Sequence, residues 1–163
     1  MEIRLANVNE VDDILKIVKQ GQEYMRREGI PQWTNGYPGH SDILKDIENN
    51  GAYVLVDGNR IVGYSYITTR KDSNYDVIIG KWLNDEGYAV MHRTCIDNAY
   101  KGQRLTDLFI QKAFEMSDNV RVDTHEKNKS MRKMLENHGF VNCGIVYMQD
   151  KTERVAYQKK KDC

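Results

Sequence analysis

The sequence has no net charge, no long apolar run and no apolar signal core. Its 163 residues carry 24 basic and 24 acidic side chains, so no overall field favours nucleic acid or an anionic membrane. No stretch approaches the roughly 18 apolar residues of a membrane span, and the start, MEIRLANVNEVDD, is polar. These absences predict a soluble, cytoplasmic protein without nucleic-acid or membrane partners, in which any anion site is local.

Cysteine is too scarce and too poorly spaced for a disulfide framework. Cys95, Cys143 and Cys163 form no CxxC pair, and any pairing among them leaves an odd thiol. The four histidines and three cysteines also lack the spacing of metal ligands. We therefore expect reduced thiols, a reducing compartment and no metal.

No linker, repeat or low-complexity segment divides the chain, so residues 1–163 are predicted to form one domain. The clearest local pattern is AYVLVDGNRIVGYSYI, two β-rich runs around a DG turn that predict a hairpin. Asn9 and Ser41 are the predicted caps of the first two helices, and Asn128 is that of the last. Strand-like and helix-like segments alternate, which predicts an α/β domain with one mixed sheet.

The stretch AYKGQRLTDLFIQKAFE gathers cations around a glycine where a strand-like run gives way to a helical one. Gly102 would let the backbone turn tightly and approach a ligand closely. The free N–H groups of a helix's first turn favour an anion by about 0.3–1 kcal/mol, and Lys101 and Arg104 would add charge-assisted contacts. The loop would therefore suit a phosphate ester. The alternative is an ordinary turn with exposed cations, since the loop matches neither the P-loop pattern nor GxGxxG.

The strand VMHRTCIDNAY, the loop KGQRLT and the later helix NKSMRKMLENHGF together resemble the Gcn5-related N-acetyltransferase family. The loop falls on that family's Arg/Gln-x-x-Gly-x-Gly/Ala signature for the coenzyme A diphosphate, and the late helix carries its asparagine, Asn128, and its terminal GF. The resemblance covers about residues 1–158. It implies an acyltransferase fold with a single, centrally splayed sheet of about six to seven strands and helices on both faces.

The resemblance implies acetyl-coenzyme A as cosubstrate, bound where the parallel strands 88–97 and 119–125 splay apart. Backbone groups of residues 94–96 would pair with the pantetheine arm, and loop amides would hold the diphosphate. Arg104 stands where the family commonly has glycine, so it either bears the cost of a positive φ or takes helical φ/ψ and points at the 3′-phosphate or at solvent. The implied cofactor-binding residues are Thr94, Cys95, Ile96, Lys101, Gly102, Gln103, Arg104, Leu105, Thr106 and Asn128.

In this family an amine attacks the acetyl carbon directly, and its proton must pass to a base. His125, His92 and Glu126 are the candidates, because an imidazole accepts a proton near neutral pH and all three lie on or just after the cleft strands. The alternatives are a hydrogen-bonded core histidine for His92 and a solvated carboxylate for Glu126. The family often has an acidic tyrosine on the late helix, but Leu135 stands there, with Tyr147 as a potential substitute.

The loop GIPQWTNGYPGH would line the acceptor pocket, with Trp33 and Tyr37 as walls; a hydrophobic plug is the alternative. The predicted activity is acetyl transfer to a primary amine of an unidentified small molecule or peptide, with a homodimer left open. Cys95 is interpreted as packing and not as a nucleophile. Two other hypotheses remain: a non-catalytic acyl-coenzyme A-binding or regulatory module on the same fold, favoured by Leu135, and an unrelated α/β binding domain.

Overall fold

The computed structural model describes residues 1–162 and contains one eight-stranded mixed sheet with four α-helices. The strands are β1 (Glu2–Leu5), β2 (Ala52–Asp57), β3 (Arg60–Thr68), β4 (Ile79–Gly80), β5 (Ala89–Ile96), β6 (Asn119–Thr124), β7 (Val141–Tyr147) and β8 (Glu153–Lys160). The helices are α1 (Val11–Arg27), α2 (His40–Glu48), α3 (Thr106–Met116) and α4 (Lys129–Asn137). The strand count exceeds the predicted six to seven because β4 has only two residues, too few to show alternation in the sequence.

The sheet has the order β1-β2-β3-β5-β6-β8-β7-β4, and within residues 1–162 only β5 and β6 are parallel neighbours. Their ladder is two residues long, joining Ala89 to Val120 and Val90 to Arg121. Both strands continue beyond these pairs, so they diverge and leave a wedge that opens at their carboxyl ends. The predicted central splay of the sheet is confirmed.

A bulge in β5 lies where the two parallel strands part. Arg93 has a φ of +56°, and the register between β3 and β5 shifts between Tyr64 and Tyr66. A bulge bends its strand and increases the local twist. The bend accompanies the divergence of the carboxyl half of β5 from β6.

The four helices cover both faces of the sheet, as predicted. On one face Val54 of β2 packs with Ile14 of α1 and Ile43 of α2. On the other face Leu55 belongs to a core with α3 and α4. Successive residues of a strand point to opposite faces, so the two helix pairs lie on opposite sides. No helix of residues 1–162 has the length and apolar character needed to cross a bilayer.

The predicted caps of the first two helices are wrong. Neither Asn9 nor Ser41 occupies the N-cap position of its helix. Instead a carboxylate, from Glu10 or Asp42, accepts a hydrogen bond of 2.8 Å from the backbone amide three residues earlier. A carboxylate near a helix start stabilises free N–H groups and complements the helix dipole. It can therefore take the place of the short polar cap that the sequence pattern predicts.

Candidate functional site

A cleft of about 800 Å³ follows the wedge between β5 and β6. It is bounded by α1, the carboxyl half of β5, the loop before α3, and α4. Nine of the ten residues predicted to bind a cofactor line it: Thr94, Cys95, Ile96, Lys101, Gly102, Arg104, Leu105, Thr106 and Asn128. Gln103 lies between lining residues and is exposed without lining the cleft.

The loop before α3 presents five consecutive backbone amides without protein partners. None of the N–H groups of residues 102–106 donates a hydrogen bond within the described chain. The first amides that do are those of Asp107 and Leu108, which donate to the carbonyls of Arg104 and Leu105. Free amides at a helix N-terminus, in a cleft, suit an anion such as a diphosphate.

Two left-handed residues give this loop its shape. Gly102 has a φ of +84° and Arg104 a φ of +58°. A left-handed conformation costs a non-glycine residue roughly 1–2 kcal/mol, so Arg104 takes the costlier of its two expected conformations. Its side chain is 79 % exposed, and its Nε lies 3.4 Å from a carboxylate oxygen of Asp107.

The charges around the loop favour an anion. Lys101, Arg104 and Lys133 line the cleft, and Asp107 is the one carboxylate among its described lining residues. Asp107 is bonded to the imidazole of His138 as well as to Arg104, so its charge is offset. A chain without net charge thus holds a locally positive site.

The cleft-facing edge of β5 is open beyond Val90. On its other edge Cys95 pairs with Tyr64 and Ile96 with Gly63, while the β6 ladder has already ended. The backbone of residues 94–96 can therefore pair with an extended ligand arm. Desolvation raises the pKa of the Cys95 thiol to about 12, against a smaller opposing effect of Lys101, which agrees with its interpretation as a packing residue.

A second cavity of about 350 Å³ adjoins the first. The two cavities share the lining residues Met25, Trp33, Thr94, Asn128 and Met131. Trp33 and Tyr37, the predicted acceptor walls, both line the second cavity. Trp33 packs so closely on α1 that a Cβ at Gly21 would lie 2.7 Å from its ring, which explains a glycine inside that helix.

An ion pair fixes one wall of the second cavity. Arg93, at the bulge of β5, donates to both carboxylate oxygens of buried Asp46 at 2.8 and 2.6 Å. Its Nη1 donates to the hydroxyl of Tyr37 at 3.0 Å, and its guanidinium lies 4.9 Å from the ring centre of Tyr66. Desolvation lowers the pKa of Arg93, but the hydrogen bonds and charges of Asp46 and Tyr37 together outweigh it and the net pKa is raised, so the pair stays charged.

His92 lies in the second cavity with carboxylates on two sides. Its Nε2 lies 2.8 Å from Oδ2 of Asp72, and its Nδ1 lies 3.9 Å from Oδ2 of Asp123. Desolvation raises the pKa of Asp72, but the hydrogen bond and charge of His92 outweigh it and the net pKa is lowered. An ionised Asp72 only accepts, so Nε2 carries the hydrogen and Nδ1 of the neutral ring carries a lone pair.

The other candidate bases do not line either cavity. Nδ1 of His125 accepts a hydrogen bond of 3.1 Å from the amide of Lys127, which occupies the lone pair of the neutral ring. Desolvation, followed by the charge of Arg154, lowers the pKa of His125. Glu126 is exposed, as expected for a solvated carboxylate. The structure therefore brings His92, and not these two residues, to the cavities.

Asn128 holds the start of α4 and also lines both cavities. Its side-chain oxygen accepts from the amide of Met131 at 3.3 Å, which confirms it as the cap of the last helix. Its amide nitrogen donates to Oε1 of Gln32, which also accepts from the backbone N–H of His125. Gln32 thus ties the loop after α1 to the ends of β6 and α4.

The sequence analysis did not identify Gln32, Asp72, Asp123 or Arg154, all of which line the second cavity. Asp123 and Arg154 are charged residues inside apolar strand patterns. A charge at such a position is a signal of a functional residue that could have been used. Asp72 lies in a polar loop where nothing distinguishes it from its neighbours. In residues 1–162 no group of three or more His, Cys, Asp or Glu side chains is arranged to hold a metal ion.

Comparisons with known proteins agree with this geometry. Residues 18–140 match the model of the acetyltransferase (GNAT) family. A crystal structure of a GNAT-family acetyltransferase from Streptococcus agalactiae 2603 is 35% identical, with a TM-score of 0.91, covering 99% of this chain and 96% of that one. A structure from Staphylococcus aureus MU50 is 26% identical, with a TM-score of 0.72, covering 98% and 99%.

A more distant structure shares the fold alone. The GNAT-like decarboxylase GphF, solved in complex with isobutyryl-CoA, is 14% identical with a TM-score of 0.68, covering 98% of this chain and 99% of that one. A search of the curated proteins finds no match. The family match and the 35% identical structure nevertheless confirm the resemblance seen in the sequence. This chain belongs to the acetyltransferase (GNAT) family.

Proposed function

We propose that this protein transfers the acetyl group of acetyl-coenzyme A directly to a primary amine of a small molecule or peptide. The observation that carries the proposal is the row of five amides at residues 102–106 that have no partner in residues 1–162, on a loop of which four residues line a cleft with one open strand edge. An anionic diphosphate and an extended pantetheine arm are the two features of coenzyme A that such a cleft would recognise.

The residues of the cleft divide between the parts of the coenzyme. The amides of residues 102–106 hold the diphosphate, with Lys101 and Lys133 as flanking cations. The guanidinium of Arg104 is exposed and only its Nε contacts Asp107, so its two Nη groups can bind the 3′-phosphate. The open edge at residues 94–96 pairs with the pantetheine arm and carries the thioester toward the second cavity.

The proton of the incoming ammonium goes to His92. Acetyl-coenzyme A supplies the acetyl carbon, and the amine nitrogen forms the C–N bond as the C–S bond breaks. The second proton of the attacking nitrogen passes to the departing thiolate sulfur, so the products are the amide and the free thiol. Before attack, Nδ1 of His92 accepts the proton, while Asp72 holds Nε2–H and fixes the ring. Asp123, which also accepts from the hydroxyl of Tyr75 at 2.6 Å, faces the imidazolium from the other side.

In this proposal no tyrosine of α4 gives a proton to the leaving thiolate. Leu135 occupies that position and is fully buried in the core. Tyr147 is 38% exposed, is bonded to Glu153 and lines neither cavity, so it does not replace the missing phenol. A thiol has an ordinary pKa of about 8.5, so its thiolate is a stable leaving group and can depart without a protein acid.

A second candidate function is a non-catalytic acyl-coenzyme A-binding or regulatory module. The observation that favours it is the aliphatic side chain at Leu135, where a catalytic family member often has a tyrosine. This candidate shares the coenzyme site and lacks only turnover. A single-domain organisation, a homodimer and a cytoplasmic location stay predictions under either function.

Thermal unfolding tests the coenzyme site, and thiol release tests catalysis. Acetyl-coenzyme A at 100 times its Kd should stabilise the fold by about 2.7 kcal/mol, or about 5–10 °C in Tm for a domain of this size. ADP, which lacks the pantetheine arm, is the control and should shift Tm less. No shift with millimolar acetyl-coenzyme A contradicts both candidates, whereas a shift without thiol release across an amine panel favours the module.

A further inference from the structure

Arg154 is a buried cation in the second cavity that has no carboxylate partner. It is only 8% exposed and lines the cavity from β8. Its Nη1 donates to the carbonyl of Glu153 at 2.8 Å and to the hydroxyl of Thr152 at 3.3 Å. Within residues 1–162 no carboxylate oxygen lies within 4.0 Å of the guanidinium.

The other arginines of the interior are compensated. Arg93 is bonded to both oxygens of Asp46. Arg121 lies between two aromatic rings, 4.1 Å from that of Trp82 and 4.2 Å from that of Tyr88. Taking an unpaired charge out of water is costly, which makes a buried arginine without an anion or an aromatic face unusual. A ligand of the cavity would supply the anion that Arg154 lacks.

The cavity has opposite charges at two places. Asp72, His92 and Asp123 form one group, which suits an ammonium. In the β6–β8 ladder Asp123 pairs with Ala156, and Arg154 lies two residues before Ala156 on the same face. Such diagonal neighbours are about 7–8 Å apart, so one small molecule can contact both groups.

We propose that the acetyl acceptor is a small amine that also carries a carboxylate, and that the guanidinium of Arg154 binds this carboxylate. The inference rests on the proposed function and assigns the substrate class of the same site. A guanidinium with unused N–H donors matches a carboxylate in a bidentate manner. The volume of about 350 Å³ and the walls of Trp33 and Tyr37 limit the acceptor to a small molecule.

A matched acceptor panel tests the proposal on the wild-type protein. The probes are the common amino acids, each with its carboxamide, and an aminoalkyl phosphate as a second anionic class. Release of coenzyme A thiol gives kcat and KM for each. We expect transfer to a carboxylated amine and a KM at least about 10-fold higher for its carboxamide, as for loss of a charged hydrogen bond. A preference for the phosphate would overturn the carboxylate assignment.

Variants of Arg154 connect the preference to this side chain. Arg154→Gln should raise KM for the carboxylated acceptor about 10- to 100-fold and leave that of the carboxamide within about twofold. Arg154→Lys should restore part of the loss because it keeps the charge. Arg27→Gln, on the exposed end of α1, is the matched control and should change neither KM.

Four further outcomes would overturn the inference. If carboxylated and uncharged amines are used equally, the acceptor site needs no cation. If Arg154→Gln keeps the preference for the carboxylated amine, another residue binds the carboxylate. If no carboxylated amine is acetylated although acetyl-coenzyme A still raises Tm, the acceptor class is wrong and the coenzyme site stands. If acetyl-coenzyme A does not raise Tm, the proposed function itself fails, and the acceptor inference fails with it.

Discussion

Gly102→Glu is expected to weaken acetyl-coenzyme A binding by at least about 100-fold. The new carboxylate would lie in the row of amides that we assign to the diphosphate. Two unit charges 4 Å apart near a protein surface repel by about 4 kcal/mol, which corresponds to roughly 10³-fold in Kd. The fold should survive, because no atom lies within 4 Å of a Cβ built at this position.

The control for this variant is Gly102→Ala. At a φ of +84° both variants bear the same left-handed cost, roughly 1–2 kcal/mol of stability, but alanine adds no charge. Calorimetric titration should therefore give a far smaller loss of affinity for alanine than for glutamate. An unchanged Kd in Gly102→Glu, with the fold intact, would show that the diphosphate binds elsewhere.

His92→Ala is expected to lower turnover about 10²- to 10⁴-fold, the usual contribution of a general base, while the Kd of acetyl-coenzyme A stays within about twofold. Rates of thiol release, with the Kd measured in parallel, separate a role in turnover from a role in coenzyme binding.

His125→Ala is the matched control. Its Nδ1 is already bonded to the amide of Lys127 and it lines neither cavity, so we expect turnover within about threefold of the wild type. The reverse result, a large loss for His125→Ala and none for His92→Ala, would move the base to the end of β6. Asp72→Asn should resemble His92→Ala in part, because the neutral amide no longer stabilises the imidazolium and can donate to Nε2, which favours the other tautomer of the ring.

Much of the coenzyme half of the site could be predicted from the sequence, because it is local. The strand, the loop with Gly102 and the start of α3 follow one another along the chain, and each leaves its own pattern. The Asn128 cap was also predictable, since a short polar side chain precedes an amphipathic helix. The caps at Asn9 and Ser41 failed because the helices begin at other residues, where the carboxylates of Glu10 and Asp42 accept from the amides of Asn7 and Gly39.

The acceptor half could not be predicted in the same way. Asp72, Asp123 and Arg154 are spread over about half of the chain, and only the sheet order brings β6 and β8 together beneath the loop after β3. Apart from hairpin turns, a single sequence contains no local signal for which strands are neighbours. For this reason the charges of the second cavity, from which we infer the acceptor class, became visible only in the structure.

The central claim is that the backbone amides of residues 102–106 bind the coenzyme diphosphate. It is tested most directly by following the backbone amide resonances of ¹⁵N-labelled protein during a titration with coenzyme A. The account predicts the largest shifts at these five amides, with smaller ones along residues 94–96. Saturable binding that leaves these resonances unmoved while others shift would contradict it.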